Sequence, residues 1–148
     1  SSVHVNVSST WISSHGTTLS SYAFQTYLHE IGHALGLGHG GDYNTAADYG
    51  TDAHYANDAW STTIMSYFDQ LENSYFASQG FTRQFVQTPM AADAVAIASL
   101  YGTHSGTRVG DTTYGFNNTS GREVYSAVAN PRGTYTIFDH GGIDTLDY

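Results

Sequence analysis

The chain has 148 residues, long enough for one domain with a core and short for two. Four Arg, no Lys and a formal charge of −9 argue against nucleic acid or an anionic membrane surface as partner. No stretch approaches a membrane span, and the lack of Cys removes disulfides and thiolate ligands, so any metal would be held by nitrogen and oxygen.

Val3, Val5 and Val7 alternate with His4 and Asn6, which predicts a short half-buried strand. Residues 8–21 are rich in Ser and Thr and read as a loop anchored by Trp11 and Ile12. Ser20 or Ser21 can cap a helix over residues 22–35, with Phe24, Tyr27, Leu28, Ile31 and Leu35 as its apolar stripe. Inside that helix begins the pattern His29-Glu30-Ile31-Gly32-His33-Ala34-Leu35-Gly36-Leu37-Gly38-His39. Residues four apart on a helix share a face, so His29 and His33 can grip one zinc ion, with Glu30 in reach of a water beside it. Gly36 falls where the helix must stop and reverse, and the reversal returns His39 as a third nitrogen ligand. Three protein ligands leave a coordination position open, the mark of a catalytic site.

Residues 40–61 read as an ordered loop whose length points to function. Thr62 to Tyr67 follows, and residues 71–87 are irregular. Thr88-Pro89 reads as a helix start, and Met90, Ala94, Ile97 and Leu100 recur at helical spacing until Gly102, giving a second helix over residues 89–101 with a core role. Beyond it, Val109, Tyr114, Phe116, Val124, Tyr125, Tyr135, Ile137 and Phe138 lie in brief strands and turns. The end, Asp139-His140-Gly141-Gly142-Ile143-Asp144, has the composition of a calcium-binding turn and equally of an ordinary glycine-rich turn.

With Ile64-Met65-Ser66-Tyr67 added to the histidine pattern, the chain resembles the serralysins, secreted bacterial zinc proteases of the metzincin clan. Matching text runs through His29 to Leu37, Gly41 to Asn44, Tyr55 to Phe68, Leu100 to Gly102, Arg108 to Asp111, Tyr114 to Asn117 and the Gly-Gly-x-Asp-Thr end. The resemblance implies an α+β, metzincin-like zinc protease domain in part: residues 1–102 as the C-terminal portion of the catalytic domain, residues 103–148 as the junction to a calcium-binding β-roll. It implies His29, His33 and His39 on zinc, Glu30 as catalytic base, Tyr67 as a movable fifth ligand and Met65 in a turn beneath the metal. It also implies calcium held by backbone oxygens of Arg108, Gly110 and Thr112 together with Asp139, Gly141, Gly142 and Asp144. Its implied partners are protein or peptide substrates in the extracellular medium, and further segments of the same protein on either side: an N-terminal sheet and a longer β-roll. Three departures stand out, and the most important is that the chain reads as incomplete, with one strand before the zinc helix and only the first Gly-Gly-x-Asp turn after the domain. Residue 40 is Gly where serralysins often have Pro, and residues 79–87 do not follow the family text. The competing readings are a non-catalytic zinc- and calcium-binding fragment and an astacin-like metzincin.

Overall fold

The computed structural model describes residues 3–148, so residues 1 and 2, with which the expected 1–102 portion begins, lie outside it. Its centre is a helix (α2) spanning Tyr22–Ala34. Ser21 caps it: the hydroxyl accepts the Phe24 amide at 3.2 Å, satisfying one of the free donors of the first turn. At the other end Gly36 adopts φ +94°, and the amides of Gly36 and Leu37 donate back to His33 and Gly32 at 2.9 and 3.0 Å. That bond pair is a Schellman stop, and it needs the left-handed residue that glycine supplies.

The buried side of α2 differs from the expected stripe. Ala23, Gln25 and Gly32 are its buried positions, whereas Tyr27, Ile31 and Leu35 are exposed. The reason lies in what the helix packs on, which is a tight turn. A Cβ on Gly32 would stand 2.4 Å from the Met65 sulfur, so the missing side chain is what lets Met65 approach. Gln25 is inside because its side-chain oxygen accepts the Val86 amide at 2.8 Å. The turn itself is closed by Trp60, whose indole donates to the Ser66 carbonyl at 3.0 Å and whose amide donates to Phe68 O at 2.9 Å. Trp60, Ile64, Met65, Val86 and Met90 form the core, with Tyr22, Leu28, Leu37 and Phe85 packed against it.

Residues 3–8 form no strand; no other strand lies beside them among the described residues, and pairing is what makes a strand. The Ser- and Thr-rich stretch is not all loop. Residues Ser9–His15 form a helix (α1), in which Trp11 and His15 stack one turn apart at 3.9 Å. Trp11 also donates to Thr26 of α2 at 3.3 Å, which anchors the segment. Short helices at Tyr49–Asp52 (α3) and Ser74–Ser78 (α4) punctuate the stretches read as loop, capped by Asp48 and Asn73. The last helix (α5) spans Ala91–Tyr101 and starts later than Thr88-Pro89 predicts, because the Thr88 hydroxyl accepts the amide of Thr136 at 2.8 Å. Met90 takes the cap position, and the Asp93 carboxylate receives its amide at 2.7 Å. Leu100, expected in the core, is exposed.

In residues 103–148 the only strands are Thr113–Gly115 (β1) and Thr145–Asp147 (β2), paired in parallel with Tyr114 opposite Leu146. Buried Tyr114 meets Tyr125 edge-on at 5.3 Å, and Tyr125 meets Tyr135 at 5.2 Å. Val124 lies in a short 3-10 helix, Glu123–Tyr125, Phe116 in a turn, and Val109, Ile137 and Phe138 in irregular backbone; Val109 and Phe116 are exposed. The whole is mixed helix and small sheet, as expected at that level.

Candidate metal centre and cleft

Three imidazoles converge. One ring nitrogen from each of His29, His33 and His39 lies within 4.8 Å of the others, and this is the only such cluster of His, Cys, Asp or Glu among the described residues. The opposite nitrogens are all committed. His29 Nδ1 lies 2.7 Å from Ile64 O, His33 Nδ1 2.9 Å from Leu37 O and His39 Nδ1 2.8 Å from Tyr43 O. A carbonyl can only accept, so each Nδ1 carries the proton and each neutral ring presents a bare Nε2 lone pair.

His33 Nε2 and His39 Nε2 stand 3.1 Å apart. With both Nδ1 atoms protonated, two lone pairs of neutral rings face each other, an arrangement that a cation shared between them would satisfy. Burial lowers the His29 pKa from its ordinary 6.5, against the Ile64 carbonyl, which raises it. The ring is therefore neutral at pH 7 and able to ligate. The donor set, three nitrogens and no sulfur, fits zinc with an open position.

Two of these carbonyls belong to residues that are held in turn. Ile64 belongs to the Met65 turn, and Asp93, buried on α5, clamps that turn by accepting the Ile64 amide at 2.9 Å and the Thr63 hydroxyl at 2.5 Å. The expectation that α5 is core packing only is thus too narrow, since one of its residues fixes the carbonyl that orients His29. Asp93 escaped notice because apolar spacing ignores acids; a carboxylate three residues after the cap was the available signal. The Tyr43 hydroxyl bonds buried Asp58 at 3.1 and 3.2 Å, and burial pushes its pKa up to about 12. Gly40 lies against this pair: a Cβ there would come within 2.5 Å of Asp58 Oδ1, which accounts for glycine at this position.

Beside the His29 ring runs a cleft of about 450 Å³ lined also by Glu30, Trp11, Trp60 and Tyr67. Glu30 and Tyr67 thus share one wall system. The Tyr67 ring lies 4.5 Å from the His39 ring and 6.1 Å from that of His29. Met65 sits against Gly32 of α2, the residue before His33.

Residues 1–93 match the family of metallo-peptidases described as M12B, reprolysin-like. The chain belongs to this metallo-peptidase family. Residues 103–148 match the Peptidase M10 serralysin C-terminal family. Metallopeptidase AprA of Pseudomonas marginalis is 42% identical over 88% of this chain and 28% of its own length. Serralysin C of Dickeya chrysanthemi is 39% identical over 86% of this chain and 26% of its own, and serralysin of Photorhabdus luminescens 36% over 97% and 30%. The chain therefore spans less than a third of these relatives. The serralysin resemblance read from the residues stands, and the three-histidine cluster is the group among the described residues that could hold the metal of a metallo-peptidase.

The residues expected on calcium fall on two loops that touch. A Cβ on Gly142, at φ +105°, would lie 2.5 Å from the Gly110 carbonyl carbon, so glycine permits the contact. Asp144 accepts the Thr112 amide at 3.0 Å and the Thr112 hydroxyl donates to Gly110 O at 3.0 Å. Asp139 accepts the Gly141 amide at 3.1 Å and the Tyr114 hydroxyl, with Arg108 Nε at 3.9 Å. The Tyr114 bond is the main cause that holds the Asp139 pKa below its ordinary value; desolvation opposes it, and the Gly141 and His140 amides and Arg108 assist. Two carboxylates and nearby carbonyls are the oxygen donors a hard cation takes.

Proposed function

We propose that this chain carries the catalytic centre of a secreted zinc endopeptidase of serralysin type, acting on proteins. The observation that supports it most is the trio of Nε2 lone pairs, two of them 3.1 Å apart, with every Nδ1 spent on a carbonyl. His29, His33 and His39 would hold the metal. Bound zinc supplies Lewis acidity toward the scissile carbonyl and the attacking water. Glu30, on the same cleft, takes the water's proton and passes it to the leaving amine. The Tyr67 hydroxyl would stand toward the metal position when the cleft is empty, and it swings aside during attack to donate to the developing oxyanion of the substrate. Secretion is supported by the serralysin relatives. No helix among the described residues is long and apolar enough to cross a membrane.

We also propose calcium between the two touching loops, on the backbone oxygens of Arg108, Gly110 and Thr112 and on Asp139, Gly141, Gly142 and Asp144. The close approach at Gly142 supports this reading.

The test is Glu30→Ala in the full-length protein. Zinc content should be unchanged while casein cleavage falls by about a thousandfold or more, the scale of a lost general base. Normal cleavage would remove Glu30 from its role.

A further inference from the structure

The cleft that holds Glu30 shares walls with a neighbouring hollow. Tyr22, Trp60 and Tyr67 wall both the cleft and a second hollow, which reaches Asp69, Glu72 and Arg83. Arg83 then lines a third hollow of about 560 Å³ together with Arg132. Two of the four cations in a chain of charge −9 thus face one concavity. No acid lines it.

Arg83 is held in place while its ligand-binding edge is left open. Its Nε pairs with Asp69 at 3.0 Å, and its guanidinium carbon lies 5.6 Å from the rings of both Trp60 and Phe85. Asp69 is itself buried and satisfied, accepting the amides of Leu71 and Glu72 at 2.7 and 2.8 Å. The ion pair uses Nε, so both Nη groups remain for a partner, in the fork geometry that matches a carboxylate. The nearest competing acid, Glu72, lines the middle hollow and is tied to the Asp69 amide at 2.9 Å. Arg83 also lies within residues 79–87, the stretch that departs from serralysin text.

We propose that this groove is an extended substrate subsite that selects an Asp or Glu side chain on the polypeptide being cut, with Arg83 and Arg132 as its specificity-determining residues. The proposal rests on the peptidase reading above. Because the subsite lies beyond the reacting bond, it contributes binding in the ground and transition states alike, and so acts on KM with kcat unchanged.

The experiment uses zinc-loaded full-length protein and a fluorescent peptide series in which one Glu, or Gln as control, moves along the positions either side of the cut. Anisotropy on the Glu30→Ala protein should show one position where the Glu peptide binds about tenfold tighter than the Gln peptide. The gap should close in the Arg83→Gln/Arg132→Gln double variant, narrow in Arg132→Gln alone, and shrink with salt. Arg132→Gln leaves the aromatic stack intact, so its effect is one of charge. No Glu preference at any position, or a preference that survives the double substitution, overturns the subsite. Cleavage by the unmodified protein separates the two claims. Peptides bound with the Glu preference but never cut would sink the peptidase reading, whereas peptides cut without the preference would sink the subsite alone.

Discussion

At the three-histidine centre the protein donors and the metal donors are separate atoms. Every Nδ1 serves a carbonyl, and every Nε2 is left bare toward a common point. In the loops around Asp139 the same oxygens serve both purposes. Asp139 already accepts from Tyr114 and Gly141, and Asp144 from Thr112. An imidazole has two ends and can be fixed by one while it ligates with the other. An ion that joins Asp139 must share oxygens that both already accept a donor, whereas at Asp144 only Oδ1 is engaged, by the Thr112 amide. The first region therefore has the preorganisation a metal centre requires, and the second is a fold contact that the proposed cation would strengthen.

The largest effect on this contrast should come from Asp93→Ala. It removes the acceptor of two amides and a hydroxyl at a buried site, so we expect about 3–5 kcal/mol of lost stability in urea unfolding and a weakened zinc affinity through Ile64. A loss below about 1 kcal/mol would show that the Met65 turn holds itself. Next is Gly142→Ala, which places a methyl against the Gly110 backbone at positive φ. About 2–3 kcal/mol should be lost, with zinc binding unaffected; a change in zinc content would show that the two regions are not independent. Calcium should come third. At a hundredfold excess over its dissociation constant it should stabilise by about 2.7 kcal/mol, and Asp139→Asn with Asp144→Asn should abolish the shift. A melting temperature indifferent to calcium contradicts the site. The smallest effect belongs to Tyr67→Phe: a fall in kcat of about tenfold, with melting temperature and zinc content unchanged. Unchanged kcat would reduce Tyr67 to packing against His39.

The same division explains what could be read in advance. The zinc helix was legible to within one residue because its signals are local: a Ser cap, histidines four apart and a glycine stop. The exposed faces of Tyr27, Ile31 and Leu35 were not, since periodicity says which residues are apolar and tertiary packing says which are covered. The narrow buried face of α2 depends on Met65 entering at Gly32, a contact between residues 33 apart in the chain. Asp93 was missed for a related reason: its carboxylate matters through Ile64 and Thr63, 29 and 30 residues away. The late start of α5 likewise turns on Thr136 claiming Thr88. The strand expected at Val3 to Val7 had the right alternation and no partner among the described residues.

The central claim is that three Nε2 atoms, aligned by backbone carbonyls, hold one zinc ion. X-ray absorption on the zinc-loaded protein tests it most directly. The account predicts about one zinc per chain, with three imidazole nitrogens at about 2.0–2.1 Å and one or two oxygens, and loss of that shell in a His29→Ala/His33→Ala variant. A zinc shell without imidazole, or one that persists in the double variant, would contradict it.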